Sequence, residues 1–234
     1  MIHLDAISFS YEKQPLFSGL TMHLQPGHIY GLLGANGVGK TTLLKLLAGL
    51  VFPKGGMCKV LEQEPRHRRP SLMSQLYFVA DEPHLPHSTA ARYADTYGVF
   101  YPNFDKSLYL EYLKEFQVPA EQVFSKLSFG QRKKVVISFA LATQVPLVLM
   151  DEPTNGLDIP SKSTFRKLVA GAMTDERCIV ISTHQVRDLD SLIDAVLILH
   201  QGKIVYNEDL NALAAEATAQ PNLESLFQEV IKFH

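Results

Sequence analysis

The chain has 234 residues, 46% of them apolar, and its 22 Lys and Arg stand against 24 Asp and Glu for a formal net charge of −2. That is enough length and apolar content for one large domain, or a domain with an inserted lobe, and the near balance of charge excludes a global pull toward a nucleic acid or an anionic membrane surface. Cys58 and Cys178 are far apart with no metal-type spacing near either, which excludes a zinc site and a disulfide framework and fits a reducing cytoplasm. No basic-then-apolar leader opens the sequence, and its longest apolar stretch, Val135 to Met150, is interrupted by Thr143, Gln144 and Pro146, so no membrane span is expected.

Residues 2 to 11 alternate apolar and polar side chains and read as a half-buried strand. A second strand, Thr21 to Leu24, turns at Pro26-Gly27 into the apolar run His28 to Leu33, so the chain begins antiparallel. Tyr11 ends the first strand beside a turn at Glu12 to Pro15. An aromatic ring exposed there can stack on a nucleobase, whereas strand-end tyrosines more often pack, and both readings stand at this point.

The stretch Gly34-Ala-Asn-Gly-Val-Gly-Lys-Thr-Thr42 follows the apolar strand and precedes a helical pattern, Leu43 to Leu50. This is the strand, glycine loop and helix order of a phosphate-binding loop. Gly34, Gly37 and Gly39, with Asn36 between them, let backbone N–H groups converge, and the helix that follows turns the positive end of its dipole to the same anion. Lys40 is placed to reach β and γ phosphates and the Thr41 hydroxyl to meet a magnesium ion, with Thr42 next in line.

Beyond a loop at Pro53 to Gly56, short strands are expected at Met57 to Val60 and Gln75 to Ala80. The composition then changes. From Pro83 to about Leu127 the β-pattern is lost, and Thr89 to Tyr97 and Asp105 to Phe116 show helical spacing, the second with an apolar stripe of Leu108, Tyr109, Tyr112, Leu113 and Phe116 that suits a core. These helices read as a lobe inserted into a sheet domain. The short basic cluster Arg66 to Arg69 reads as a solvated turn.

Leu127-Ser-Phe-Gly-Gln131 opens the helix Arg132 to Ala142, with Ser128 as its N-cap and a second helix N-terminus available to an anion. Pro146 to Glu152 is a continuous apolar run ending in Asp151 and Glu152, as a strand buried on both faces looks when it reaches an active-site edge. Paired carboxylates at such an edge are costly unless partnered, and a magnesium ion with a polarised water would be such partners. A helix from Ser161 to about Met173, the strand Cys178 to Ser182 with His184 just past it, a strand Ala195 to Leu199 forming a hairpin with Lys203 to Tyr206, and two short terminal helices complete the chain. Strands alternating with helices, with polar side chains at the strand C-termini, describe a largely parallel α/β sheet with its ligand at that edge.

Taken together, these residues resemble the nucleotide-binding subunits of ABC transporters, in order and over nearly the whole chain. Tyr11 is similar to the adenine-stacking position, Gly34 to Thr42 to the Walker A loop, Leu127 to Gln131 to the family signature, Leu147 to Glu152 to the Walker B strand, Asn155 to Asp158 to the D-loop, and His184 to the switch histidine. Two positions depart from the pattern: Phe129 stands where the signature usually has glycine, and Asp81 where a glutamine usually follows the strand.

The resemblance implies a P-loop NTPase fold of the ABC ATPase type, with a largely parallel sheet, an N-terminal antiparallel β subdomain and an inserted α-helical subdomain. It implies one domain over residues 1–234, its core from 1–82 and 146–234 and its helical lobe from 83–145. It further implies ATP and Mg²⁺ as cofactors and two subunits, identical or not, closing head to tail. Glu152, His184 and Lys40 would be catalytic. Tyr11, Gly34, Asn36, Gly37, Gly39, Lys40, Thr41 and Thr42 would hold the nucleotide from one side and Ser128, Gly130 and Gln131 of the signature from across the dimer, Asp158 would also bind it, and Thr41, Asp151 and Asp81 would serve the metal. The expected activity is ATP hydrolysis driving a separately encoded integral membrane permease, so that the subunit is cytoplasmic and peripheral on the inner face of the membrane. Asn222 to Phe227 is similar to the ends of export-type ATPases, and no nucleic-acid partner is expected. The alternatives are a soluble ABC ATPase acting on the ribosome or DNA, which usually carries two cassettes or a long coiled coil, and a weakly hydrolysing regulator.

Overall fold

The computed structural model describes residues 1–189, 191–210 and 223–233. Its N-terminal elements are β1 (Ile2–Tyr11), β2 (Gln14–Leu24), β3 (His28–Leu33), α1 (Lys40–Leu47), β4 (Gly55–Val60), α2 (Pro70–Met73) and β5 (Leu76–Val79). Three helices follow, α3 (Ala90–Tyr97), α4 (Lys106–Glu115) and α5 (Phe129–Ala142). The chain then gives β6 (Leu147–Asp151), α6 (Ile159–Gly171), β7 (Cys178–Thr183), β8 (Ala195–His200), β9 (Lys203–Asp209) and α7 (Leu223–Phe233).

Two sheets result. β2, β1 and β4 form an antiparallel sheet in that order, and the larger sheet runs β5-β6-β7-β3-β8-β9, parallel except for β9. Because side chains alternate across a strand, each central strand feeds two cores. Ile29, Val148, Met150, Ile179, Ile181, Val196 and Ile198 face α3 to α6, and Tyr30, Leu32, Leu147, Leu149, Val180 and Leu197 face α1 and the antiparallel sheet. This double burial is why β6 reads as an unbroken apolar run.

The second strand is longer than Thr21 to Leu24. Gln14 and Pro15 already pair with Tyr11 and Ser10, leaving only Glu12 and Lys13 to turn, and Pro15 is accommodated because β2 is an edge strand. Helix α1 starts at Lys40, inside the glycine loop, three residues ahead of its apolar pattern. Arg68 is not merely solvated: its guanidinium donates to the carbonyl oxygen of Gly49 at 2.8 Å, partnering backbone just past the C-terminus of α1. Thr89, Asp105, Ser128 and Asp158 cap α3, α4, α5 and α6 through their side chains. Of the two expected terminal helices one is α7, which lays Leu223, Leu226 and Phe227 on the first core; the other, and Asn222 of the export-like segment, lie outside the described residues.

The helices α3 to α5 gather round Phe139, which is fully buried. Its ring centroid lies 4.9 Å from Tyr93, 4.9 Å from Phe104, 5.5 Å from Tyr77 and 5.7 Å from Tyr109. Tyr109, Tyr112, Leu113 and Phe116 are buried, as their stripe suggested. No helix among the described residues is long and apolar enough to cross a membrane.

Candidate active site

The parallel strands β5, β6, β7 and β3 end on one edge of the sheet, and each delivers a polar group there: Asp81 two residues after β5, Asp151 and Glu152 at the end of β6, His184 after β7, and the glycine loop after β3. A cleft of about 460 Å³ opens at this edge, lined by Tyr11, Leu16, Asn36, Gly37, Gly39, Lys40, Thr41, Thr42, Asp81, Glu152, Asn155 and His184. That volume lies within the range of small-ligand sites.

Gly39 makes the loop possible. It holds φ at +111°, and a Cβ there would stand 2.9 Å from the Phe17 ring, so a larger residue meets both backbone strain and the core. Gly39 is also the N-cap of α1, and it supplies no side-chain hydrogen bond. The first N–H groups of the helix are therefore left for an anion, at the positive end of the helix dipole.

Lys40 is 6% exposed and lies folded over the loop, donating to the carbonyl oxygens of Gly34 at 2.8 Å and Ala35 at 3.2 Å. Burial lowers its pKa, and the charges of Glu152 and Asp151 oppose that shift. The Thr41 hydroxyl donates to Asp151 Oδ2 at 2.8 Å, while Ser182 donates to Oδ1 of the same carboxylate at 2.6 Å. Asp151 is thus buried but satisfied on both oxygens, and together with Thr41 it presents an all-oxygen donor set of the kind a hard divalent cation takes.

At Glu152 the strand stops sharply. Its φ is +44°, uncommon for a residue with a side chain, and its N–H points back to the Ser182 carbonyl at 3.1 Å. The turn leaves the carboxylate at the cleft, with Oε1 at 2.8 Å from His184 Nδ1 and 3.9 Å from Lys40 Nζ. Tyr11 stands at the rim, 52% exposed, its hydroxyl 3.3 Å from that of Thr42 and its ring edge-on to Phe9. Between packing and an exposed face, the tyrosine has both.

Other sequence candidates stand apart from this cleft. Gly34 and Asp151 lie behind its lining, and Ser128, Gly130, Gln131 and Asp158 are absent from it. Ser128 accepts from the Gln131 N–H while the Gln131 side chain accepts from the Ser128 N–H, a complete capping box. A Cβ on Gly130 would stand 2.7 Å from the Gly156 carbonyl oxygen, so this position holds two backbones in close approach. Asp158 accepts from the Ser161 N–H at 3.0 Å, and hydrogen bonding to the Ser161 side chain first, then to its N–H, lowers the Asp158 pKa.

Lys133 was not anticipated. Its side chain is fully buried and its ammonium donates to Asp81 Oδ1 at 2.7 Å, to the Asn155 carbonyl at 3.2 Å and to the Glu152 carbonyl. Burial lowers its pKa, with the Asp81 bond opposing. Within Arg132-Lys133-Lys134 it looks like one of a solvated run, yet it follows Phe129 by four residues and precedes Val136 and Ile137 by three and four, which puts it on the buried face of α5. Ser182 was likewise missed, and Asn155 was expected only as the start of the D-loop segment, with no role at the cleft.

The sequence pattern of the ABC transporter family matches residues 17–155. The lantibiotic transport ATP-binding protein SrtF of Streptococcus pyogenes is 26% identical over 249 aligned positions, covering 100% of this chain and 98% of that protein. Among solved structures, the ATP binding subunit of an ABC transporter superposes with a TM-score of 0.86 at 22% identity over 99% of both chains. A dimeric ATP-binding cassette bound to ADP and Pi does so with a TM-score of 0.78 at 21% identity, over 90% of this chain and 99% of that one. With the family pattern extending over more than half of its residues, the chain belongs to the ABC transporter family, as an ATP-binding ATPase subunit.

Proposed function

We propose that the chain binds ATP in the cleft beside Lys40 and hydrolyses it in a head-to-tail dimer, driving a separately encoded membrane permease. One observation carries this reading: the uncapped start of α1, Lys40, the Thr41–Asp151 pair and the Glu152–His184 pair meet at one sheet edge. A triphosphate would take the loop N–H groups of Asn36, Gly37, Gly39 and Thr42 in place of solvent, and Lys40 would exchange its carbonyl partners for β and γ phosphate oxygens. The adenine would stack on the exposed face of Tyr11. Thr41 and Asp151 would hold Mg²⁺, with Asp81 as a further oxygen donor nearby, and the ion would supply charge neutralisation to the phosphates. Glu152 would orient the attacking water and His184 would hold the Glu152 carboxylate and meet the γ-phosphate.

Ser128, Gly130, Gln131 and Asp158 would complete the site from a second subunit. Their absence from the cleft of their own chain supports this, and a dimeric cassette is known for the related fold. The second subunit is either another copy or a homologue.

We divide the chain into a core of residues 1–82 and 146–234 and a helical lobe of 83–145. A groove between α2, β5 and the lobe, lined in part by Tyr93, Tyr97, Val99, Phe100 and Tyr101, leaves Val99 77% and Phe100 64% exposed. Such an apolar patch suits a permease segment, which would place the subunit at the cytoplasmic face of a membrane. Export is supported by the likeness of Asn222 to Phe227 to the ends of export-type ATPases and by relation over the full length to a lantibiotic transport protein. The test is to isolate the tagged protein from its own membranes in mild detergent and identify its companions by mass spectrometry. A multispanning protein in stoichiometric amount is expected, and ribosomal or DNA-repair proteins instead would overturn the transport reading.

A further inference from the structure

The side chain of Lys133 lies at 0% exposure, deeper than Lys40 at 6% or Arg177 at 5%. An ammonium so placed is stable only if each N–H finds an acceptor, and here three donors meet three acceptors that belong to different parts of the chain. Asp81 follows β5, Glu152 follows β6, and Asn155 lies in the turn toward α6. Lys133 itself sits one turn into α5, whose first residues are the capping box at Ser128 and Gln131. The same ammonium stands 5.4 Å from the centroid of the Phe129 ring, and that ring fills the space a Cβ on Gly156 would need. Phe129, Lys133 and Asp81 thus form one block against the backbone from Glu152 to Gly156.

From this we propose that Lys133 is a positioning residue for hydrolysis: held by Asp81, it fixes the backbone of Glu152 to Asn155 and ties the start of α5 to the catalytic edge within one subunit. The kinetic half of this proposal rests on the ATPase reading above; the structural half does not. Glu152 keeps its positive φ because its carbonyl is anchored by Lys133 while its N–H is anchored by Ser182. If the Lys133 anchor is removed, the backbone can relax and the carboxylate loses its direction toward Lys40 and His184. The bond that Lys133 donates to Asp81 is what makes the anchor specific. Its carboxylate remains 38% exposed and faces the cleft, so it neutralises the buried ammonium without being buried itself. Tyr77 and Phe78 of β5 also line the apolar groove, and Asp81 stands two residues past that strand.

The test uses the full chain with Lys133→Gln, which keeps two N–H donors but no charge, and Asp81→Asn, which keeps an acceptor oxygen. Amide hydrogen exchange of the unliganded protein is read over Glu152 to Leu157, and ATP affinity and steady-state turnover are measured separately. For Lys133→Gln we expect exchange in that segment to speed up by about tenfold or more and turnover to fall by about tenfold or more, with ATP affinity within about threefold. Asp81→Asn should move both in the same direction by less. Unchanged exchange over Glu152 to Leu157 overturns the proposal whether or not the chain hydrolyses ATP, and so does exchange that quickens evenly over the whole molecule, because that is a loss of global stability. Turnover and affinity falling together also overturns it. An unsubstituted chain without ATPase activity would overturn the functional reading, and the exchange measurement would still decide the role of Lys133.

Discussion

Nδ1 of His184 lies 2.8 Å from Oε1 of Glu152, the same oxygen that faces the Lys40 ammonium at 3.9 Å. Two cationic or donor groups on one oxygen hold the carboxylate in a single orientation, and among the described residues none partners Oε2, which can accept from a water. Glu152→Gln keeps the shape but removes the charge that polarises that water. The variant is expected to bind ATP within about threefold of the parent and to turn over about a hundredfold more slowly or worse. Equilibrium binding together with single-turnover phosphate release checks this. Near-normal turnover would take Glu152 out of the chemistry.

Ser128 has a structural duty that is separable from any role across a dimer. Its hydroxyl satisfies the Gln131 N–H, so Ser128→Ala should lower the unfolding free energy by about 1 kcal/mol, while Ser128→Thr should preserve it. Urea unfolding of the two variants measures this difference. If Ser128 also meets nucleotide on a second subunit, the alanine variant will lose turnover well beyond what so small a destabilisation explains, with ATP affinity little changed.

The strand and helix order, the glycine loop and the acid-ended strand β6 were legible because each is a local pattern. Period-2 alternation, a glycine spacing and a polar residue closing an apolar run all lie within about ten residues. The early start of β2 was not, because Pro15 is a turn signal in isolation and an acceptable edge-strand residue only once Ser10 is opposite it. Lys133 escaped for a related reason. A basic triplet reads as solvated, and what buries this one lysine are three acceptors 19 to 52 residues away. Its helical phase relative to Phe129, Val136 and Ile137 was the available signal.

Phe139 is the hub of the helices between β5 and β6, touching aromatic rings from β5, α3, α4 and the loop before α4. Phe139→Ala removes a fully buried ring from a cluster whose members are fixed by one another, so the cavity cannot close cheaply. The expected cost is about 3–5 kcal/mol, and Phe139→Leu should cost less. Chemical denaturation reads both. A loss below about 1 kcal/mol for the alanine variant would mean that the cluster repacks freely.

Cys58 and Cys178 are both buried, one on β4 and one at the start of β7, and burial pushes each thiol up to about 12 from an ordinary value of 9.0. Two consequences follow from the same shift. In the folded protein both cysteines stay protonated at pH 8, so alkylation should be slow in native buffer and fast in denaturant, since the thiolate is the reactive form. The second concerns stability. Because the folded pKa is raised above the unfolded one, the stabilisation is whole below pH 9 and is lost as pH climbs toward 12: the unfolded chain sheds these protons first. The slope is at most about 1.4 kcal/mol per pH unit for each thiol. Raising the pH from about 8.5 to about 10.5, either side of the ordinary thiol value of 9.0, should therefore lower the urea midpoint of the parent relative to that of a Cys58→Ala, Cys178→Ala variant, in which Lys40 and Lys133, lowered by burial, titrate as they do in the parent. Buried Tyr101, whose hydroxyl is also raised to about 12, leaves a residual slope above pH 10 in that variant. A pH dependence identical in the two proteins would show that the thiols do not contribute, and rapid native alkylation at pH 8 would show that they are not buried as described.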